Sequence, residues 1–153
     1  MTGSQKARAI GINHVALEVG DIDMALEFYA GFIEFELRGR SADMAFIDLG
    51  DQFMNFSTGR KQAADDARHF GLVVTDRELV AQALDSMGVS LLPGPFMDFL
   101  DPWGNRIEII DYESIQFTKA PHVLCAMGLD GLEKTAAAIA ELADKGMAPG
   151  HRK

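Results

Sequence analysis

Between His14 and Val19 the residues Val15, Leu17 and Val19 are apolar, and those between them are small or polar. A period of two predicts a half-buried strand. Gly20 and Asp21 follow, then Met24, Ala25, Phe28, Tyr29 and Phe32 at helical spacing. Asp21 is placed to cap that helix, because a carboxylate accepts from the free N–H groups of a first turn. The same pattern returns 55 residues later. His69-Phe70-Gly71-Leu72-Val73-Val74 leads to Asp76 and then to Leu79, Val80, Ala83, Leu84 and Met87. His14/His69, Leu17/Leu72, Val19/Val74 and Asp21/Asp76 keep the offset. Gly31 and Gly88 stand near the two helix stops.

Three short strand-like runs follow each helix. They are residues 34–40, 43–49 and 52–57 in the first copy and 89–92, 96–100 and 106–111 in the second. Gly50-Asp51, Pro93-Gly94-Pro95 and Asp101-Pro102-Trp103-Gly104-Asn105 supply the turns. The reading is βαβββ twice, as module 10–57 and module 68–113 with linker 58–67. Residues 1–113 form one domain, and 114–153 an extension. Within the extension Asp130 and Glu133 have capping-box spacing. A helix is expected over about 131–145, with Leu132, Ala136, Ile139 and Leu142 as its apolar stripe. Residues 114–127 read as irregular.

Alternation gives each side chain a face. His14 shares one with Ile12, Ala16 and Glu18; His69 shares one with Gly71 and Val73. Both histidines point away from the helices. On the last strand Arg106, Glu108, Ile110 and Tyr112 share the corresponding face, opposite Ile107 and Ile109. Two imidazoles at equivalent repeat positions and one carboxylate suit a divalent first-row metal with open positions. A strand carboxylate facing an enclosed space is costly unless it is paired or coordinating. Either histidine alone is more often a hydrogen-bonded structural residue than a ligand. Phe46, Phe53, Phe96 and Phe99 are candidates for the core or for the lining of that space.

Composition narrows the function. The 153 residues are 48% hydrophobic and 24% charged, with net charge -9, as expected of a globular chain with a core of its own. The acidic balance disfavours nucleic acid. No apolar run is long enough to span a bilayer, so neither a nucleic acid nor a membrane is an expected partner. The single cysteine, Cys125, excludes an internal disulfide. Residues 1–9 show no secretory pattern, and a cytoplasmic location is expected. No serine sits in a nucleophile elbow, and Gly128-Leu129-Asp130-Gly131 has no Lys-Ser or Lys-Thr pair after it. His151, beside Arg152 and Lys153, is expected to be disordered, and His122 has no assigned role.

Three motifs together resemble the vicinal oxygen chelate superfamily of glyoxalases, bleomycin-resistance proteins and small dioxygenases. They are Ile12-Asn13-His14-Val15-Ala16-Leu17-Glu18-Val19 with Asp21, Ala25, Phe28 and Tyr29; His69-Phe70-Gly71-Leu72-Val73-Val74; and Asp101 through Glu108. The resemblance covers about residues 10–113. It implies an α+β fold in which two βαβββ modules form an eight-stranded open cup, here with a C-terminal helix added. It implies His14, His69 and Glu108 as ligands of one divalent metal (Fe, Mn, Ni, Zn or Co), Glu108 serving catalysis with the metal. Asn55, Arg106 and Tyr112 are candidate substrate or supporting residues, with Glu18 and Asp98 nearby. A fourth ligand place of the family falls at Asn55, which is not a carboxylate. That weakens a glyoxalase I reading and leaves a three-ligand set closer to extradiol dioxygenases and the fosfomycin-modifying branch. Yet no His or Tyr occurs between His69 and Glu108, and Ala16 replaces a fosfomycin-type Thr. The subfamily stays open. The expected function is a metal-dependent enzyme acting on a small molecule that chelates through adjacent oxygens. The alternative is a non-catalytic, bleomycin-resistance-like binding protein. A homodimer is expected, completed by the apolar tail.

Overall fold

The computed structural model describes residues 6–150, so His151 lies outside the described residues. The first module is β1 (His14–Val19), α1 (Ile22–Ala30), β2 (Glu36–Arg40), β3 (Met44–Leu49) and β4 (Gln52–Thr58). Its sheet runs β1-β4-β3-β2, with β1 parallel to β4. The second module is β5 (Phe70–Val74), α2 (Arg77–Ser86), β6 (Asp98–Leu100) and β7 (Arg106–Asp111). Its sheet runs β5-β7-β6, with β5 parallel to β7. Mixed α+β architecture and the duplicated β-α start are as the sequence predicts. Asp21 accepts from the Met24 N–H, and Asp76 from those of Glu78 and Leu79. Both thus satisfy orphan donors of a first helical turn.

Residues 89–92 depart from expectation. They form no strand and contribute one bridge, Leu91 to Phe99, so the described residues hold seven strands. Pro93 and Pro95 follow directly. A proline lacks the ladder donor and fixes φ, which limits the pairing that can build there.

Every strand but β2 puts residues into one shared core. Leu17, Val19, Ala45, Ile47, Met54 and Phe56 of the first sheet join Leu72, Phe99, Ile107 and Ile109 of the second. The modules meet where Phe28 and Phe32 of α1 pack on Phe99, with ring centroids 6.4 and 5.3 Å apart. A buried polar tie reinforces this contact. Tyr29 Oη donates to Asp101 Oδ2 at 3.1 Å, and Asn105 Nδ2 donates to the Glu18 carbonyl at 3.1 Å. Asp101 also accepts from the backbone N–H groups of Trp103 and Asn105. Burial first, and then Asp101, push the Tyr29 phenol well above its ordinary pKa. The Trp103 indole lies on Gly20, where a Cβ would come within 2.5 Å of Nε1. Asp101-Pro102-Trp103-Gly104-Asn105 is therefore the joint between the modules as well as a turn.

The extension is more ordered than its sequence suggests. Pro121–Ala126 is a short helix, α3, with proline in its first turn, and Ala136–Asp144 is α4. Thr135 caps α4 through the Ala138 N–H. The helix thus starts later than the expected 131, because Thr135 captures the free donor, and before it the chain turns over 128–131 and runs irregularly over 132–135. Lys119 pairs with Asp51, and Met127 covers Gly50, so the extension braces the β3–β4 turn. Among the described residues no helix is long and apolar enough to cross a membrane.

Candidate metal site on two open sheet faces

The helix-free face of each sheet is built by the same register. In the first module His14 stands opposite Phe53 and Ala16 opposite Asn55. In the second Gly71 stands opposite Glu108. Each histidine thus lies two residues before the partner of one β4 or β7 residue, and Asn55 is the positional counterpart of Glu108. His14, Ala16 and Glu18 are exposed while Leu17 and Val19 are buried, as alternation predicts.

His69 and Glu108 come together, with Nε2 3.2 Å from Oε2. The Nδ1 of His69 lies 2.9 Å from the Ala67 carbonyl. A carbonyl only accepts, so Nδ1 is the donor in that contact, and Nε2 is turned toward the Glu108 carboxylate. Metal-binding histidines are held in this way, by a hydrogen bond at the other ring nitrogen. In the first module His14 Nδ1 lies 2.9 Å from Asn13 Oδ1. Its ring stacks on Phe53, 4.7 Å between centroids and inclined by 10°. Its Nε2 makes no hydrogen bond to a described residue.

His14 does not join the other two. Among the described residues, no three His, Cys, Asp or Glu side chains are grouped so as to hold a metal. The reason is topological. β1 and β5 are edges of separate sheets and pair with β4 and β7 only. The modules meet through α1 and β6 instead.

The remaining candidates divide between the sheets and the extension. Asn55 is 8% exposed, and its amide hydrogen-bonds no described group. Arg106 is committed. Its Nε donates to Asp98 Oδ2 at 2.8 Å, its Nη2 to the same oxygen and its Nη1 to the Asp66 carbonyl. Asp98 itself is buried opposite Glu108, with Oδ1 unpartnered. Tyr112 leaves the face its sequence position suggests. β7 ends at Asp111, and a 3-10 turn carries Tyr112 into the extension. There it is buried against Phe117 and beneath Lys134 Nζ, 3.4 Å from its ring centroid. Phe99 is core, Phe46 and Phe53 line the open face half-buried, and Phe96 is exposed. Cys125 is exposed and free.

One residue escaped the sequence reading. Arg38 lies over Phe53, its guanidinium carbon 4.3 Å from the ring centroid. An isolated arginine in a polar strand gives no periodic signal, and the bulge that places it is invisible in sequence.

Solved structures share this architecture. A mutant of FosX, the fosfomycin resistance protein of Listeria monocytogenes, was solved with Mn(II) and 1S,2S-dihydroxypropylphosphonic acid. It superposes with TM-score 0.58 at 17% identity, over 67% of this chain and 90% of its own. A protein from Bacillus cereus described as a possible glyoxalase gives 0.56 at 23% identity, over 67% and 99%. FosX of Mesorhizobium loti gives 0.56 at 18%, over 67% and 91%. These likenesses are of fold. Sequence similarity carries the assignment further, since the family profile matches residues 11–109 and so takes in both histidines, Asn55 and Glu108. With that match, and with two βαβββ-type modules behind it, the chain belongs to the Glyoxalase/Bleomycin resistance protein/Dioxygenase superfamily.

Proposed function

We propose that the protein is a metal-dependent enzyme acting on a small molecule that chelates through two adjacent oxygens, and that its site is shared between two copies of the chain. One copy supplies His14, and its partner supplies His69 and Glu108. The observation that carries this is the His69–Glu108 contact of 3.2 Å, with His14 outside any three-residue group. Two copies pairing β1 of one with β5 of the other would cover both open edges, and an uncovered strand edge is a liability. Such pairing makes a cup of two modules. The Mn(II) complex of FosX supports a divalent metal of this kind. An exposed free Cys125 fits a reducing compartment such as the cytoplasm.

The donor set fits a metal: two imidazoles, the Nε2 of His14 free and that of His69 turned to Glu108, and one carboxylate would leave coordination sites open. A bound divalent ion supplies Lewis-acid stabilisation of negative charge developing on chelating oxygens. The chain does the rest. The Ala67 carbonyl orients the His69 ring, and Asn13 and Phe53 hold the His14 ring. Glu108 offsets the positive charge at the centre. Ala16 keeps the surface above the first sheet low, whereas the place beside Gly71 is taken by the Ile110 side chain.

Titrating the full chain with Mn(II), followed by electron paramagnetic resonance, tests this reading. One ion should bind per chain with a dissociation constant of about 10 μM or tighter, and His69→Ala should abolish uptake. No uptake of Mn(II), Fe(II), Ni(II) or Zn(II) in excess contradicts it. The separation of His14 within one chain favours a second reading, a metal-free cup that binds an apolar ligand without turnover. That reading predicts ligand binding unaffected by chelators.

A further inference from the structure

The first module carries an arginine that no scaffold role consumes. The β2–β3 ladder slips between Leu37 and Gly39, and Arg38 is the unpaired residue at the slip. Bulges re-aim side chains and occur beside active sites. Here the guanidinium lies over Phe53 and Phe46, at 4.3 and 5.4 Å from the ring centroids. Phe53 is the ring that stacks on His14, so one aromatic side chain touches both the guanidinium and the imidazole. Gly39 stands opposite Phe46, and a Cβ added there would meet nothing within 4 Å. The space beside Phe46 is therefore open.

The partners of Arg38 are few. Asp48 approaches its Nε at 3.4 Å, longer than a good hydrogen bond. Its Nη groups hydrogen-bond no described residue, and the side chain is half-exposed. Glu36 stands opposite Asp48 and is exposed. Arg106, the cation of the other open face, is fully engaged with Asp98 and Asp66. A guanidinium braced on aromatic rings with its Nη edge free is prepared for a planar or tetrahedral oxyanion, because its fork matches two oxygens at once. Bracing also reduces the ordering cost of binding. Nearby Asn55, more than nine-tenths buried and without a partner, faces the same space with both a donor and an acceptor.

We propose that Arg38 selects the substrate: the cup takes a flat small molecule whose chelating oxygens lie at the His14 end and whose distal carboxylate or phosphonate pairs with the Nη edge of Arg38 across Phe53. Asn55 hydrogen-bonds the polar atoms between them. This rests on the metal-site reading above and adds a substrate class to it, a chelating acid.

Calorimetry on the Mn(II)-loaded full chain tests it with three probes that share one chelating group: catechol, 3,4-dihydroxybenzoate and 3,4-dihydroxyphenylphosphonate. At least one acid should bind tenfold or more tighter than catechol, and the tighter of the two identifies the headgroup. Arg38→Met should bring that acid to within about twofold of catechol, with catechol and Mn(II) affinities unchanged. Arg38→Lys should retain part of the preference, and Asp48→Asn should increase it. Equal binding of all three probes overturns the role of Arg38, as does a preference that survives Arg38→Met. A chain that takes up no Mn(II) contradicts the metal site itself, so the two failures are distinct.

Discussion

The two open faces share one scaffold and carry opposite chemistry. In each module a histidine precedes the same register, and the counterparts can be paired. Asn55 matches Glu108, Phe53 matches Arg106, and Phe46, opposite Asn55, matches Asp98, opposite Glu108. The first face is therefore aromatic and amide-bearing around its histidine, with an Arg38–Asp48 pair at its edge, and the second is ionic around its histidine. On the second, Glu108 meets His69 while Asp98 and Arg106 neutralise each other. On the first, no carboxylate stands beside the histidine, and the positive charge arrives from the edge strand through Arg38. The lesson is a division of labour. A duplicated fold repeats its caps and core, while one copy keeps a carboxylate beside its histidine and the other sets an aromatic ring and an amide there.

The joint between the modules gives the largest effect. Asp101 is 3% exposed and serves Tyr29, Trp103 and Asn105 at once. Asp101→Ala strands several buried donors, each costing about 1–3 kcal/mol. Unfolding in urea should show a loss of about 3 kcal/mol or more. A loss below about 1 kcal/mol would mean that the modules are joined by the apolar contact alone.

Asn55→Asp sharpens the contrast by giving the first face the carboxylate it lacks. Added to the site, it should tighten Mn(II) by about thirtyfold, or about 2 kcal/mol, in a competition titration. Unchanged affinity would place Asn55 outside the coordination sphere.

Tyr29 supplies a pH test of the joint. Its folded-state pKa lies above the ordinary 10.0. The stabilisation is thus complete below pH 10 and is lost as pH rises from there toward the folded value. At pH 11 the wild type should lose more stability than Tyr29→Phe loses, relative to pH 8. Equal losses would mean that the phenol ionises freely in the folded protein.

The caps should show the smallest effect and no contrast. Asp21→Ala and Asp76→Ala should each cost about 1 kcal/mol by thermal unfolding. A twofold difference would mean that the repeats are not equivalent even in their scaffold.

Much of this was legible in the chain. The offset of 55 residues located both strands, both caps and both histidines, because each rests on local periodicity and local hydrogen bonding. What escaped depends on tertiary contact. The role of Asp101-Pro102-Trp103-Gly104-Asn105 as a joint appears only once α1 lies against β6. Tyr112 continues the alternation of β7 in sequence, but the chain turns after Asp111. Residues 89–92 have strand composition, and the prolines behind them limit pairing to one bridge. The start of α3 carried a readable signal, Pro121 at a first-turn position. Arg38 carried none. In the proposed site His14 meets the other candidate ligands through a second copy, about which alternation within one chain is silent.

Mixing two variants tests the shared site most directly. His14→Ala and His69→Ala, each alone, should bind no Mn(II). Unfolded together in equal amounts and refolded, half of the dimers would be mixed. Each mixed dimer would unite an intact His14 from one copy with His69 and Glu108 of the partner subunit. Mn(II) uptake should then return to about one ion per four chains, read by electron paramagnetic resonance. A mixture that binds no more Mn(II) than the separate variants would contradict a site built from two copies.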